Sequence, residues 1–386
     1  MSARHGKIRT SALLGLAIAT CLASAANATI IYTGPTTYVI NTTVTDNIIV
    51  NNSAAVLNVQ SGGVVQGVND PTLLGAVRTQ AGTLNVSGNG RIEAGVGQEV
   101  AISMRGQPAT VRLSDQATVN GNVVMDYTVG THLIVQNQAT INGNVRYAGY
   151  IDLHDQGRIN GNIVNAENGS IRLNMTGGEV AGAVSFGGLN DYAFNMSGGA
   201  ILGGFRGAAG LVDLSMTGGY IANGFRTGDD VDGTISGGKI DGGMEFYGNT
   251  SSGSSLDVTG GRFDTVAGDY LFSMSNSLSW SSSAASLDIF GGQWGYNEAG
   301  LGFFFDDLSN FSVTGWDLTF VNGLLSGYLL DGNWFSNRFT FGTDWTGTFT
   351  INNVPHNVPE PGTLGLLLAS AAGMMFARRR REAATS

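Results

Sequence analysis

Of 386 residues, 59 are glycine, 6 are proline and one is cysteine; 42 % are hydrophobic, 12 % are charged, and the formal net charge is −10. A single cysteine excludes a disulfide scaffold, scarce proline and aperiodic glycine exclude collagen, and the apolar share opposes disorder. The negative charge disfavours nucleic acid as a partner, because it repels phosphate.

Residues 1–28 read as a secretory signal peptide. Arg4, Lys7 and Arg9 supply a positive start, Ser11 to Leu22 an apolar core, and Ala26 and Ala28 the small residues of a cleavage site. Cys21 lies inside this segment, where the preceding Thr20 disfavours a lipidated cysteine. Cleavage after Ala28 leaves a mature chain without thiols, which suits an oxidising compartment.

Residues 29–292 read as a repeat array. Gly62-Gly63-Val64-Val65 and Asn89-Gly90-Arg91-Ile92 are weak early copies. Ala117-Thr118-Val119-Asn120-Gly121-Asn122 then returns as Ala139-Thr140-Ile141-Asn142-Gly143-Asn144 and Gly157-Arg158-Ile159-Asn160-Gly161-Asn162. Further on, a Gly-Gly pair recurs after an apolar strand, its second member at Gly178, Gly199, Gly219, Gly238 and Gly261, with an irregular copy at Gly292. Alternating segments such as Leu214-Ser215-Met216 have strand periodicity, and glycine supplies the positive φ of tight corners. A unit of about 20 residues holds three short strands and three corners, too little to bury its own core, so stacking must close it. Propeller blades need about 40 residues each, twice this unit. The predicted fold is all-β: a right-handed parallel β-helix (a β-solenoid) of about ten coils. Asn120, Asn142 and Asn160 share one repeat position, which suits an amide ladder, although turn-forming asparagine is the favoured assignment. In pattern alone, the array resembles the passenger regions of bacterial autotransporters and related surface adhesins.

Residues 293–351 change composition. Trp280, Trp294, Trp316, Trp334 and Trp345 all fall late, with Phe303, Phe304, Phe305, Phe311, Phe320, Phe335, Phe339, Phe341 and Phe349. An aromatic-rich C-terminal β cap over the open end of the stack is the favoured assignment. The alternative is a glycan-stacking platform, for which Trp294, Trp316 and Trp334 are the candidates. Residues 352–358 form a linker.

Residues 359–386 read Pro359-Glu360-Pro361, an apolar run from Leu364 to Ala377, and Arg378, Arg379, Arg380 and Arg381. That run suits a short transmembrane helix whose arginines remain on the cytoplasmic side. In this order the elements closely resemble the PEP-CTERM sorting signal. The resemblance implies recognition of Pro359, Glu360 and Pro361 by an exosortase, a membrane transpeptidase of Gram-negative bacteria. It implies retention by the arginine cluster in an inner membrane intermediate, then release of the tail. The destination it implies is the cell surface or extracellular matrix, commonly in species that secrete exopolysaccharide. Losing both ends removes more basic than acidic residues and deepens the negative charge.

Chemistry-bearing residues are sparse. The histidines are His5, His132, His154 and His356, and no zinc, phosphate-loop, nucleotide or hydrolase motif occurs. Asp152, His154 and Asp155 form one acid–base cluster, with Asp152 and His154 on a shared strand face. Asp229, Asp230 and Asp232, and Asp306 with Asp307, are read as solvated loop acids rather than calcium ligands. Lys239 is the lone lysine after residue 28. No catalytic residue, metal or cofactor is assigned. The expected function is a non-enzymatic, exosortase-sorted surface or matrix protein of structural or adhesive type, associated with exopolysaccharide or biofilm. A polysaccharide-acting lyase or hydrolase centred on Asp152, His154 and Asp155 is the alternative.

Overall fold

Period-2 alternation separates the side chains of each strand into an apolar and a polar set, and here the apolar sets converge on one continuous core. The computed structural model describes residues 29–355, apart from 70–73, 127–129, 148, 166–168, 170, 188–190, 208–209, 229–230, 248–254, 266–269, 276–285, 296–301 and 307–308. Among the described residues the chain is all-β, without a helix. Its parallel ladders are consistent with a β-solenoid.

Three ladders take the chain in turn. A first runs from Thr37–Ile40 through Ala109–Leu113, His132–Val135 and Tyr150–Leu153 to Val212–Met216, Ser286–Ile289 and finally Phe349–Asn353. A second links Val64–Gln66, Arg91–Glu93, Thr118–Asn120 and Thr140–Asn142, and reaches Gln293–Trp294. The third starts at Ile30–Tyr32 and passes Val145–Arg146, Ile163–Asn165 and Phe205–Gly207 to Gly302–Phe305 and Trp334–Phe341. In-register pairing places like residues above like: Leu133 on Ile151, Ile151 on Leu173, Leu173 on Phe194. A one-residue slip would turn each of these outward, so burial enforces the register.

The core changes character along its axis. In the third ladder Val145, Ile163 and Val184 give way to Phe205, Phe225, Met244, Phe272 and Phe303, all fully buried. Phe205 and Phe225 stack at 4.5 Å with 7° between their planes, and Phe194 lies 4.8 Å from Phe205. Burying a ring of that size is worth about 2–3 kcal/mol in transfer free energy.

Two corners carry the repeated glycines and asparagines. At the first, Asp115, Asn137 and Asp155 adopt left-handed backbone (φ 59, 58 and 53°), and Gly178, Gly199, Gly219, Gly238, Gly261 and Gly292 take positive φ there further along. This corner thus has two solutions along the axis: upstream, short Asx residues that tolerate left-handed backbone, and downstream, the second glycine of each Gly-Gly pair, which adopts it freely. At the second corner Gly143, Gly161, Gly182 and Gly203 sit directly above one another, where a Cβ would press into the backbone of the coil beneath. Beside them, Asn142 Nδ2 donates to Asn120 Oδ1 at 2.7 Å and Asn160 Nδ2 to Asn142 Oδ1 at 2.6 Å. The favoured turn assignment for these asparagines is therefore corrected to an amide ladder. Strand spacing brings each amide within reach of the next, so every interior member both donates and accepts. Asn122, Asn144 and Asn162 form a second column, each side-chain oxygen accepting from the backbone N–H of Asn144, Asn162 and Ala183 in turn.

The boundary placed at residue 292 is not a change in stacking. Phe303 pairs with Phe339, and Phe311 with Phe349, in parallel register, so the ladders continue to residue 353. What changes is an inserted antiparallel strand, Leu324–Leu329, hydrogen-bonded to Asn310–Val321 on one side and Trp334–Phe341 on the other. Leu325, Leu329, Phe335 and Phe339 are buried beneath this small sheet.

Candidate functional site

Outward residues of the first ladder form polar columns, and these hold the acid–base residues singled out from sequence. Asp152 accepts from His132 Nε2 at 2.6 Å and from Asn174 Nδ2 at 2.8 Å, and Asn195 Nδ2 donates to Asn174 Oδ1 at 2.9 Å. His154 instead meets Thr176 Oγ1 at 2.7 Å. Asp155 occupies the left-handed corner and accepts from the Asn137 backbone N–H at 3.2 Å. The expected cluster is only partly assembled: Asp152 and His154 share one outward face and line one shallow cavity, but Asp152 bonds to both neighbouring coils, His154 to the following coil and Asp155 to the preceding one, rather than to one another. His132 was not singled out as Asp152's partner. The repeat spacing could have found it, since His132 pairs with Tyr150 and Ile134 with Asp152 in adjacent coils.

Farther along the same face, Asp213 pairs with Asp232, and Asp257 pairs with Asp288. Burial, then the charges of Asp288 and Asp232, push the Asp257 carboxyl above its ordinary value. Ser312 Oγ donates to Asp288 Oδ1. The second ladder is charge-compensated instead, with Arg91 on Glu93 and Arg262 on Asp264 at 2.6 and 2.7 Å. Lys239 Nζ lies 2.6 Å from Asp241 Oδ2 and 5.3 Å from the Tyr220 ring centroid, while Tyr220 donates to the same carboxylate at 2.8 Å. The hydrogen bond to Asp241 is the main cause that raises both the Lys239 ammonium and the Tyr220 phenol above their ordinary values. Among the described residues no group of three or more His, Cys, Asp or Glu is placed to hold a metal ion. Asp229, Asp230 and Asp307 lie outside the described residues.

The three tryptophans proposed for glycan stacking part company. Trp294 is only 5 % exposed, stacks on Phe263 at 4.2 Å, and donates to the Gly291 carbonyl, so it offers no face to a ligand. Its place on the candidate platform is withdrawn: it is an inward residue of the second ladder, in register with Phe263. Trp316 is half-buried and Trp334 is 55 % exposed. Antiparallel register sets Tyr328 directly between them, 5.9 Å from Trp316 and 4.9 Å from Trp334. Tyr328 escaped sequence reasoning because only the hairpin pairing, not the repeat, places it there.

Ala26 and Ala28, Pro359, Glu360 and Pro361, and Arg378, Arg379, Arg380 and Arg381 lie outside the described residues, as does the apolar run of the tail. Among the described residues no helix is long and apolar enough to cross a membrane. Comparison with known families bears on the tail directly. A family model for the PEP-CTERM protein-sorting motif matches residues 357–381. The chain therefore carries a PEP-CTERM protein-sorting motif at residues 357–381. The PEP-CTERM motif implies recognition by an exosortase and export through the membrane to the cell surface. No curated protein matches the chain, and no solved structure does.

Proposed function

We propose that this protein is a non-enzymatic structural or adhesive component of the cell surface or extracellular matrix, associated with exopolysaccharide. Its body is a right-handed parallel β-helix, the hand that strand twist favours for crossovers between parallel strands. Export begins with cleavage after Ala28. The tail then holds the chain in the inner membrane through its apolar run, with Arg378 to Arg381 on the cytoplasmic side, until exosortase acts at Pro359-Glu360-Pro361.

The observation that carries this reading is the pairing of an export motif with three long ladders whose outward positions form largely polar columns, such as Asp152, Asn174, Asn195, Ser215, Thr234, Asp257 and Asp288. Stacking fixes those columns at about 4.8 Å intervals, so the protein presents extended, stiff hydrogen-bonding faces to a polymer or a neighbouring cell. The hydrogen bonds of Asp152, His154 and Asp155 run to His132, Asn174, Thr176 and Asn137 rather than to one another, which supports the non-enzymatic side of the proposal.

The test compares three strains: wild type, a full deletion, and one lacking only residues 359–386. Loss of surface location in the truncated strain, with a matrix or biofilm defect in both mutants, is the expected result. An intact tail mass on wild-type protein in cells with active exosortase would count against sorting. New reducing or unsaturated ends after incubating the protein with the host's own polysaccharide would replace the structural reading with the lyase or hydrolase alternative.

A further inference from the structure

Among the described residues, half of the exposed large apolar side chains gather around the inserted antiparallel strand. Phe320, Val321, Tyr328, Leu330 and Trp334 are between 38 and 63 % exposed there. A concentrated patch of this kind on an exported protein calls for a contact.

Register orders the outer face of this small sheet into rows. Trp316, Tyr328 and Trp334 stand opposite one another in the first row. Thr319, Ser326 and Ser336 form the second, with the Thr319 and Ser326 hydroxyls 3.3 Å apart. The intervening positions Gly327, Leu329, Phe335 and Asn337 are buried, so the two rows share the solvent side. At about 3.4 Å per residue the rows lie roughly 7 Å apart. None of the six side chains is charged, although the protein as a whole is acidic. Arg338, in register with Leu324, borders them at the far end.

We infer that this face is a binding site for an uncharged polysaccharide chain, its pyranose rings seated on Trp316, Tyr328 and Trp334 and its hydroxyls bonded to Thr319, Ser326 and Ser336. An aromatic stripe beside a hydroxyl stripe matches a sugar ring, which pairs apolar C–H faces with a rim of hydroxyls. Charge selects the occupant: an uncharged face lets a neutral glycan approach, whereas the surrounding acidity repels a polyanion. The inference deepens the polysaccharide-associated reading and rests on it. Underneath, Leu325 and Phe335 anchor the sheet to the core, which keeps the rows in fixed geometry.

The test is affinity electrophoresis of the purified full chain in gels cast with a soluble neutral β-1,4-glucan or with a polyuronate. The variants are Trp334→Ala, Tyr328→Ala and their double, with Tyr150→Ala as an exposed aromatic control on the body. Retardation by the neutral glucan, weakened about two- to tenfold per ring and unaffected in the control, is the expected result. Circular dichroism of the exposed-site variants should match wild type. Equal retardation of wild type and double variant would overturn the site while leaving the surface-matrix reading intact. Retardation by the polyuronate alone would overturn the neutral-glycan assignment. Wild-type migration unchanged in every gel would remove both the site and its polysaccharide partner. A wild-type dimer abolished in Trp334→Ala would instead assign the face to a second copy.

Discussion

Gly182→Ala isolates what the glycine columns do. Gly182 lacks positive φ, so alanine there meets no backbone strain of its own. Its Cβ would lie 2.6 Å from the Gly161 carbonyl oxygen and 2.7 Å from the carbon, and would crowd Asn162 Oδ1 as well. Ordinary contact begins at 3.4 Å, so the coils must part by somewhat under 1 Å, and backbone cannot swing aside as a side chain can. That displacement stretches the bonds from Gly182 N to Gly161 O (3.1 Å) and from Ala183 N to Asn162 Oδ1 (2.8 Å). At about 1 kcal/mol for each net hydrogen bond, plus an overpacking cost of about 1 kcal/mol, the loss is about 2–3 kcal/mol. Gly106→Ala is the counterpart: φ is +103° and nothing lies within 4 Å of an added Cβ. It should cost only the conformational penalty of about 1 kcal/mol. Urea titration followed by tryptophan fluorescence reads both midpoints, and amide exchange at Val145 and Ile163 locates the damage. If Gly182→Ala lay within about 0.5 kcal/mol of wild type, the close-approach account of the corner would be wrong.

Three further outcomes follow from named contacts. Because Asp257 holds its proton more tightly when folded, its contribution to stability is full below its unfolded value near 3.8 and is lost as pH rises through the folded value. Asp257→Asn should therefore stabilise the protein at pH 7 but not at pH 3, and equal shifts at both pH values would refute the penalty that burial and the charges of Asp288 and Asp232 place on the Asp257 carboxylate. Phe225→Ala, inside the ring stack with Phe205 and Phe246, should cost about 3–5 kcal/mol, checked by thermal unfolding; a loss below about 1 kcal/mol would mean the stack had closed over the cavity. Asn142→Ala leaves Asn120 and Asn160 without their shared partner. Since both are solvent-accessible, the loss should be only about 1 kcal/mol, and an Asn120→Ala/Asn142→Ala cycle should show coupling between them.

Much of the strand architecture was legible because it is written in short-range pattern. Alternation marked strands, and the recurrence of Asn-Gly-Asn and Gly-Gly marked corners. The tail needed no fold at all to be recognised, since Pro359-Glu360-Pro361, the apolar run and Arg378 to Arg381 form a linear signal. The candidate site was less legible. Asp152 and His154 are near neighbours along the chain, but in a stacked coil the decisive neighbour is one turn away, and so His132 and Thr176 took their hydrogen bonds.

The sequence by itself determined the all-β class, the repeat and the sorting motif, because periodicity and linear motifs need no knowledge of distant contacts. Tertiary structure alone decided which aromatics face solvent. Trp294 and Trp334 are the same residue type in the same stretch of chain, yet Trp294 is in register with Phe263 inside the stack, while Trp334 is carried outward beside Tyr328 by an antiparallel insertion. The amide ladder was settled in the same way. Whether Asn142 turns the chain or bonds to Asn120 depends on coil registry, and registry is set by burial summed over the whole array rather than by any one repeat.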